Sequence, residues 1–305
     1  MLQLNYCGIL IIKKMNKMLS LLGFIILCKA CTLANYTYSF RYLNIEPMPL
    51  LKIQERTVHI QELNKGAPET IVLIHGMFSN LSVYYFKIAP LLAQHYHIIM
   101  YDLKSHGLSS KVRTGYRFDD MTADLLALLA TLKLESVHLV GYSFGGLVAL
   151  NTSINHPERI KSLCLIEGPN PNDRKTTEVI DLYSKEFLEN YIQNFTDTTK
   201  VKMGKRQLEK NHKMYQHLFN DTSIKADMES EANFFSQVSF SSFDVNTLLI
   251  YGKDSNCLTA GLSLSNLIGC SELLMLKGDH NLPIQEPRLL AIALIQFFQN
   301  QQLPA

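Results

Sequence analysis

Several familiar signatures are missing from this 305-residue chain. No segment repeats at a fixed period and no tract is of low complexity, which excludes solenoids, repeat arrays and fibrous architectures. No Cys/His set has the spacing of a zinc site, so neither a metal nor an organic cofactor is implied. Charge is scarce: 18% of residues are charged against 47% apolar, a balance that suits a sizeable buried core and argues against disorder. The formal charge is only +2, and it is unevenly placed. Lys13, Lys14, Lys17 and Lys29 fall in the first 34 residues, which contain no acids. With those four set aside, 25 of the 29 basic residues face 27 acidic ones. The body is slightly acidic, and no nucleic-acid partner is expected.

The first 34 residues also lack a long apolar run. Met18–Cys28 offers about 11 residues, short of the ~20 that span a bilayer comfortably. Lysines come first, then the apolar stretch, then Thr32-Leu33-Ala34 as a small-x-small site. That order is the order of a secretory signal. Residues 1–34 are therefore expected to be a signal peptide or an N-terminal anchor, with translation starting at Met1 or Met15. The protein is then exported to a periplasm or the exterior, or membrane-associated through this segment, rather than cytoplasmic. Of six cysteines, Cys7, Cys28 and Cys31 lie in the leader and Cys164 in an apolar run. Cys257 and Cys270 could pair in an oxidising compartment. Oligomeric state is not readable.

Beyond the leader, short apolar runs alternate with amphipathic stretches. Arg56–Gln61 alternates like a half-buried strand. Thr70–Ile74, Ile98–Tyr101, Val137–Val140, Leu163–Ile166, Leu248–Tyr251 and Leu273–Leu276 are continuously apolar or nearly so. Such runs suit a parallel sheet covered on both faces. Asp119–Leu132, Phe144–Asn155 and Leu289–Gln299 carry helical spacing. The alternation predicts an α/β fold, a mostly parallel, doubly wound sheet of about eight strands. It breaks once. Between Pro171 and Phe243 no strand pattern occurs, and Thr176–Phe195 has the broad apolar face of an amphipathic helix, followed by polar, Lys-rich helix to about His217. One crossover needs far fewer residues. The expected organisation is core over 35–170, a helical lid or cap over 171–243, and core again over 244–305.

Val137–Gly146 reads VHLVGYSFGG. Gly141-Tyr142-Ser143-Phe144-Gly145 stands between a strand and a helix, the context a G-x-S-x-G nucleophile turn requires. Ile74-His75-Gly76-Met77 follows a strand run, Tyr101–Ser110 reads YDLKSHGLSS, and His156–Ile160 reads HPERI. On these segments the chain from about Glu55 to its C-terminus resembles the α/β-hydrolase superfamily, serine branch. The resemblance implies oxyanion-hole donors at the backbone of Phe144 and Met77. An HGGG loop is absent, which argues against the lipase branch bearing it.

A serine hydroxyl needs a base, and the base needs an orienting acid. Leu248–Asp254 (LLIYGKD) and Leu273–His280 (LLMLKGDH) each read as a strand, a glycine turn and a polar residue. Both place it where open α/β sheets keep their sites. His280 is assigned as base and Asp254 as acid. Glu167, ending another strand, is a lesser substitute, and Asp279 is a rival beside His280. His75, His106 and Asp102 read as structural. The expected reaction is cleavage of a carboxylic ester or related acyl bond of a small-molecule substrate through an acyl-serine. Thioesterase, acyltransferase, or a slow-turnover ligand-binding sensor are the alternatives on the same residues.

Overall fold

The computed structural model describes residues 50–169, 205–231 and 238–300. The leader, and the helix expected over Thr176–Phe195, lie outside the described residues. Eight strands form one sheet: β1 Leu50–Ile53, β2 Arg56–Leu63, β3 Thr70–Ile74, β4 His97–Tyr101, β5 Val137–Tyr142, β6 Ile160–Ile166, β7 Thr247–Gly252 and β8 Ser271–Leu276. Their order is β1-β2-β4-β3-β5-β6-β7-β8. β1 pairs with β2, and β2 with β4, antiparallel; every other pairing is parallel. Each apolar run identified in the sequence falls inside a strand. β1 was not anticipated, because Leu50–Ile53 is short and half exposed.

The parallel strands β3, β4, β5 and β7 are buried at every position. Each fully buried Val, Ile or Leu contributes roughly 1.5–3 kcal/mol from leaving water. The polar member of the β5 run, His138, faces Ser162 of the neighbouring strand and bonds it through Nδ1 at 2.7 Å. Burial lowers its pKa to about 4, so it sits in the sheet as neutral imidazole. β8 departs from expectation. It is the edge strand, with Met275 45% exposed, so its apolar sequence does not mean two covered faces.

Helices α1 Phe118–Thr131, α2 Phe144–Asn155, α3 Lys205–Asp221, α4 Ile224–Ser230, α5 Leu258–Leu267 and α6 Pro287–Asn300 complete the main elements. Within the 171–243 segment the described helices are α3 and α4, and residues 238–243 form an irregular run leading to β7. Leu218, Ile224 and Met228 from it belong to the main hydrophobic core. α4 also ties to α1: the Glu231 carboxylate accepts the Phe118 N–H at 3.0 Å, an anion at a helix start. Among the described residues no helix is long and apolar enough to cross a membrane.

Candidate active site

The site grows from one turn. β5 ends at Tyr142 and α2 begins at Phe144, so a single residue joins strand to helix. That residue, Ser143, has φ 52° and ψ −122°. A non-glycine residue there stores about 1–3 kcal/mol of backbone strain. The flanking glycines make the turn possible. A Cβ at Gly141 would overlap the Gly145 carbonyl, and one at Gly145 would lie 2.5 Å from the His75 oxygen. The sharp turn holds the hydroxyl at the carboxyl edge of the sheet.

His280 arrives from the loop after β8. Its Nε2 lies 3.0 Å from Ser143 Oγ, across 137 positions of sequence. The Tyr142 hydroxyl donates to the His280 carbonyl at 2.9 Å and so anchors the loop to the nucleophile turn. On its other side, Nδ1 faces Glu167 Oε2 at 3.4 Å and Cys257 Sγ at 3.5 Å. Burial works against a charged ring. The hydrogen bonds and charges of Cys257 and Glu167 outweigh it, and the pKa rises to about 10.

The structure therefore differs from the sequence reading at the acid. Asp254 is exposed, and among the described residues no hydrogen bond or ion pair joins its carboxylate to His280. The cause is a turn. Ser255 N–H donates to Gly252 O at 3.1 Å, which puts Asp254 at the outer apex and brings Ser255 back toward the sheet. Glu167, by contrast, is fully buried. It follows β6 directly, its N–H still bonded to Ile250 O at 2.9 Å. Its φ of 54° bends the chain at this point. Its Oε1 accepts the Gly252 N–H, and its Oε2 accepts the Ser255 hydroxyl. A carboxylate can only accept, and here its polar neighbours supply donors. The sequence signal was present in LCLIE, an apolar run closing on a charge. Cys257 and Ser255 carried no signal of their own. Asp279 turns to Asn281, whose N–H it accepts at 2.8 Å, and so is not aimed at the base.

The resemblance assigns the oxyanion donors to Phe144 and Met77, and both residues lie in turns next to Ser143. Phe144 opens α2, so no intrahelical carbonyl meets its N–H. The Gly76-Met77 turn presses on the nucleophile: a Cβ at Gly76 would lie 2.9 Å from Ser143 Cβ. Phe144 is buried, and Met77 and Phe78 pack partly buried against the core. Phe78 stacks on Phe219 with ring centroids 5.7 Å apart, and Tyr215 lies at the same distance. Helix α3 thus lays an aromatic wall beside this turn.

The remaining polar residues of the resemblance motifs brace the loops. His75 Nδ1 donates to Gly76 O at 2.7 Å, and its Nε2 accepts the Leu103 N–H at 3.0 Å. Burial lowers its pKa. Asp102 accepts the N–H groups of Leu81 and Leu108 and contacts His59 Nδ1 at 2.7 Å. His106 contacts Lys104 O through Nδ1, and burial with His75 nearby lowers its pKa to about 3. Cys257 and Cys270 are free thiols. They flank the two ends of α5, about 15 Å of helical rise and far beyond the ~7 Å reach of a disulfide.

Comparison with known proteins agrees with this architecture. The model of the alpha/beta hydrolase fold family matches residues 69–286. Ethanol acetyltransferase 1 of Eremothecium cymbalariae is 28% identical over 61% of this chain and 56% of its own length. (E)-2-((N-methylformamido)methylene)succinate hydrolase of Acinetobacter baylyi is 31% identical over 37% of this chain and 42% of its own. The chain thus spans about half the length of the curated relatives it matches. The crystal structure of a "putative lipase" from Acinetobacter baumannii superposes with a TM-score of 0.73 at 19% identity, covering 88% of this chain and 96% of that one. At that identity the likeness speaks for the fold. The chain belongs to the alpha/beta hydrolase fold family.

Proposed function

We propose that this protein is a serine hydrolase that cleaves a carboxylic ester or related acyl bond, with Ser143 as nucleophile, His280 as base and Glu167 as the acid that orients it. The observation that carries the reading is the 3.0 Å approach of His280 Nε2 to Ser143 Oγ at a strained strand-to-helix turn. In the first step Ser143 Oγ attacks the acyl carbonyl and His280 Nε2 takes its proton. The carbonyl oxygen becomes an oxyanion between the N–H groups of Phe144 and Met77, each worth about 10²–10³ in rate. His280 then protonates the leaving group. Water, deprotonated by the same nitrogen, releases the acid and restores the serine. Glu167 holds Nδ1–H and stabilises the imidazolium between the steps. Its 3.4 Å contact shortens as charge develops on the ring, as catalytic hydrogen bonds commonly do on forming the reacting complex.

A fluorophosphonate probe tests the reading. It labels the wild type at Ser143 and leaves Ser143→Ala unlabelled, and p-nitrophenyl acyl esters turn over only with the wild type. Absence of labelling and turnover across a chain-length series overturns it; labelling without turnover favours the slow ligand-binding sensor.

The similarity to ethanol acetyltransferase 1 favours a second reading on the same serine: transfer of the acyl group to an alcohol instead of water. Ethanol added to the ester assay then diverts product from acid to ethyl ester. The basic, apolar, small-residue order of the first 34 residues supports export or attachment at a membrane. N-terminal sequencing of the mature chain reads this directly.

A further inference from the structure

We infer that Glu167, Cys257 and His280 form an inhibitory site for zinc or a similarly thiophilic divalent cation, whose binding switches the hydrolase off. The inhibition, though not the binding, rests on the catalytic reading above.

The geometry carries the inference. Glu167 Oε2, Cys257 Sγ and His280 Nδ1 each offer one ligand atom, and the three lie within 4.8 Å of one another. Zinc bonds are about 2.3 Å to sulfur and about 2.0–2.1 Å to imidazole nitrogen and carboxylate oxygen. A regular tetrahedron of those lengths separates nitrogen from oxygen by about 3.4 Å and nitrogen from sulfur by about 3.6 Å. The two separations from His280 Nδ1 are 3.4 Å and 3.5 Å here, and the third, between the carboxylate oxygen and sulfur, is within 4.8 Å. The spacing that is long for a hydrogen bond is the spacing of two ligands on one metal. The donor set of one sulfur, one imidazole and one carboxylate is within zinc's usual choice, with the fourth position left to water. Sequence spacing did not reveal it, because the ligands come from three separate loops: the ends of β6, the β7–α5 connection and the β8–α6 connection.

Occupancy and catalysis exclude each other. To accept the Ser143 proton, His280 must carry its own proton on Nδ1 and a lone pair on Nε2. A cation takes the Nδ1 lone pair, so the ring proton moves to Nε2 and points at Ser143 Oγ. No lone pair remains there to act as a base. Cys257 loses its thiol proton to solvent on binding, while the ring keeps one proton. One proton is therefore released per cation bound to a neutral ring, two where the ring starts as the imidazolium, and no electron is transferred. Glu167, drawn to the metal, no longer orients Nδ1–H.

The test uses the full chain after dialysis against a chelator. Zinc is titrated into an ester assay, and cobalt(II) is titrated separately while absorbance is recorded. Expected are loss of at least about nine-tenths of the activity at one equivalent of bound zinc, and full recovery with chelator. Cobalt(II) should give a thiolate-to-cobalt charge-transfer band at one equivalent. In Cys257→Ala the band vanishes, and the zinc concentration for half inhibition, relative to that variant's own zinc-free rate, rises at least about a hundredfold. Ser143→Ala retains the band, since it removes no ligand. Equal zinc sensitivity in wild type and Cys257→Ala overturns the proposal, as does the lack of a thiolate band. A thiolate band with undiminished activity overturns the inhibition. A thiolate band in a chain that hydrolyses no ester upholds the metal site and overturns the serine-hydrolase reading instead.

Discussion

The ends of β6 and β7 invite comparison. Each carries a carboxylate just past a parallel strand, Glu167 in one case and Asp254 in the other. They lie side by side in the sheet, since Ile166 pairs with Ile250. Yet Glu167 is fully buried and faces His280, while Asp254 is exposed. The difference is in the backbone one residue on. Glu167 takes a positive φ. The β7 chain instead makes a Gly252–Ser255 turn with Asp254 at its apex. Being at the carboxyl end of a strand brings a side chain to the right edge of the sheet. The turn that follows decides whether it looks in or out.

The largest effect that would break this comparison is on activity. Glu167→Gln keeps the side-chain volume and removes the charge, so His280 loses the partner that holds its tautomer and stabilises its imidazolium. A fall of about 10³–10⁴ in kcat with KM little changed is expected, the scale reported for loss of an orienting carboxylate. Asp254→Asn stays within about twofold. Ester hydrolysis by the two variants under identical conditions decides between them. If the ranking reverses, the acid is Asp254 and the loop closes differently during turnover.

A transplant sharpens the point. Ser255 Oγ bonds Glu167 Oε2, the atom facing His280. A carboxylate at 255 therefore lies within reach of Nδ1. Ser255→Asp placed in a Glu167→Ala background should recover about tenfold of the lost kcat, whereas adding a second carboxylate beside Asp254, as Lys253→Asp, should recover none. Steady-state kinetics on the three chains reads this out.

The pH profile offers a smaller, directional effect. The groups facing the His280 ring are Glu167, Cys257 and the Tyr142 phenol. The first two raise its pKa, to about 10. In the proposed role of base His280 works only when neutral, so kcat/KM is expected to rise with pH through that value and to be lost below it. The rising limb therefore lies above the 6.5 of a free imidazole. Glu167→Gln removes charge that favours the imidazolium, and the limb moves down; Asp254→Asn leaves it in place.

Most of the fold was legible because burial writes itself into sequence. Runs such as Thr70–Ile74 and Val137–Val140 mark strands covered on both faces, though the same pattern at Leu273–Leu276 marks a partly exposed edge. Ser143 was legible because its turn tolerates only glycine at 141 and 145. His280 was legible as the polar residue closing the last strand. The carboxylate that faces His280 was not, because Asp254 and Glu167 are both carboxylates after strands, and their difference is a backbone torsion without a residue-type signature. Cys257 was equally silent. Its nearness to His280 depends on the path of the β7–α5 connection, and the pairing with Cys270 left open for an oxidising compartment is one that the length of α5 forbids.

The smallest effect is on folding. Glu167→Ala strips the acceptor from the Gly252 N–H and the Ser255 hydroxyl. Leaving buried donors unmade costs about 1–3 kcal/mol. None of that is returned in Glu167→Ala, because positive φ strains an alanine as it strains the glutamate; Glu167→Gly loses the same acceptor but relieves the torsion. Glu167→Gly should therefore be more stable than Glu167→Ala by about 1 kcal/mol. Asp254→Ala, at an exposed apex, should stay within about 0.5 kcal/mol of wild type. Urea unfolding of the three variants measures all of this. A cost at Asp254 equal to that at Glu167 would mean that the two strand ends are built alike after all, and that the inward turn at Glu167 does not hold the site together.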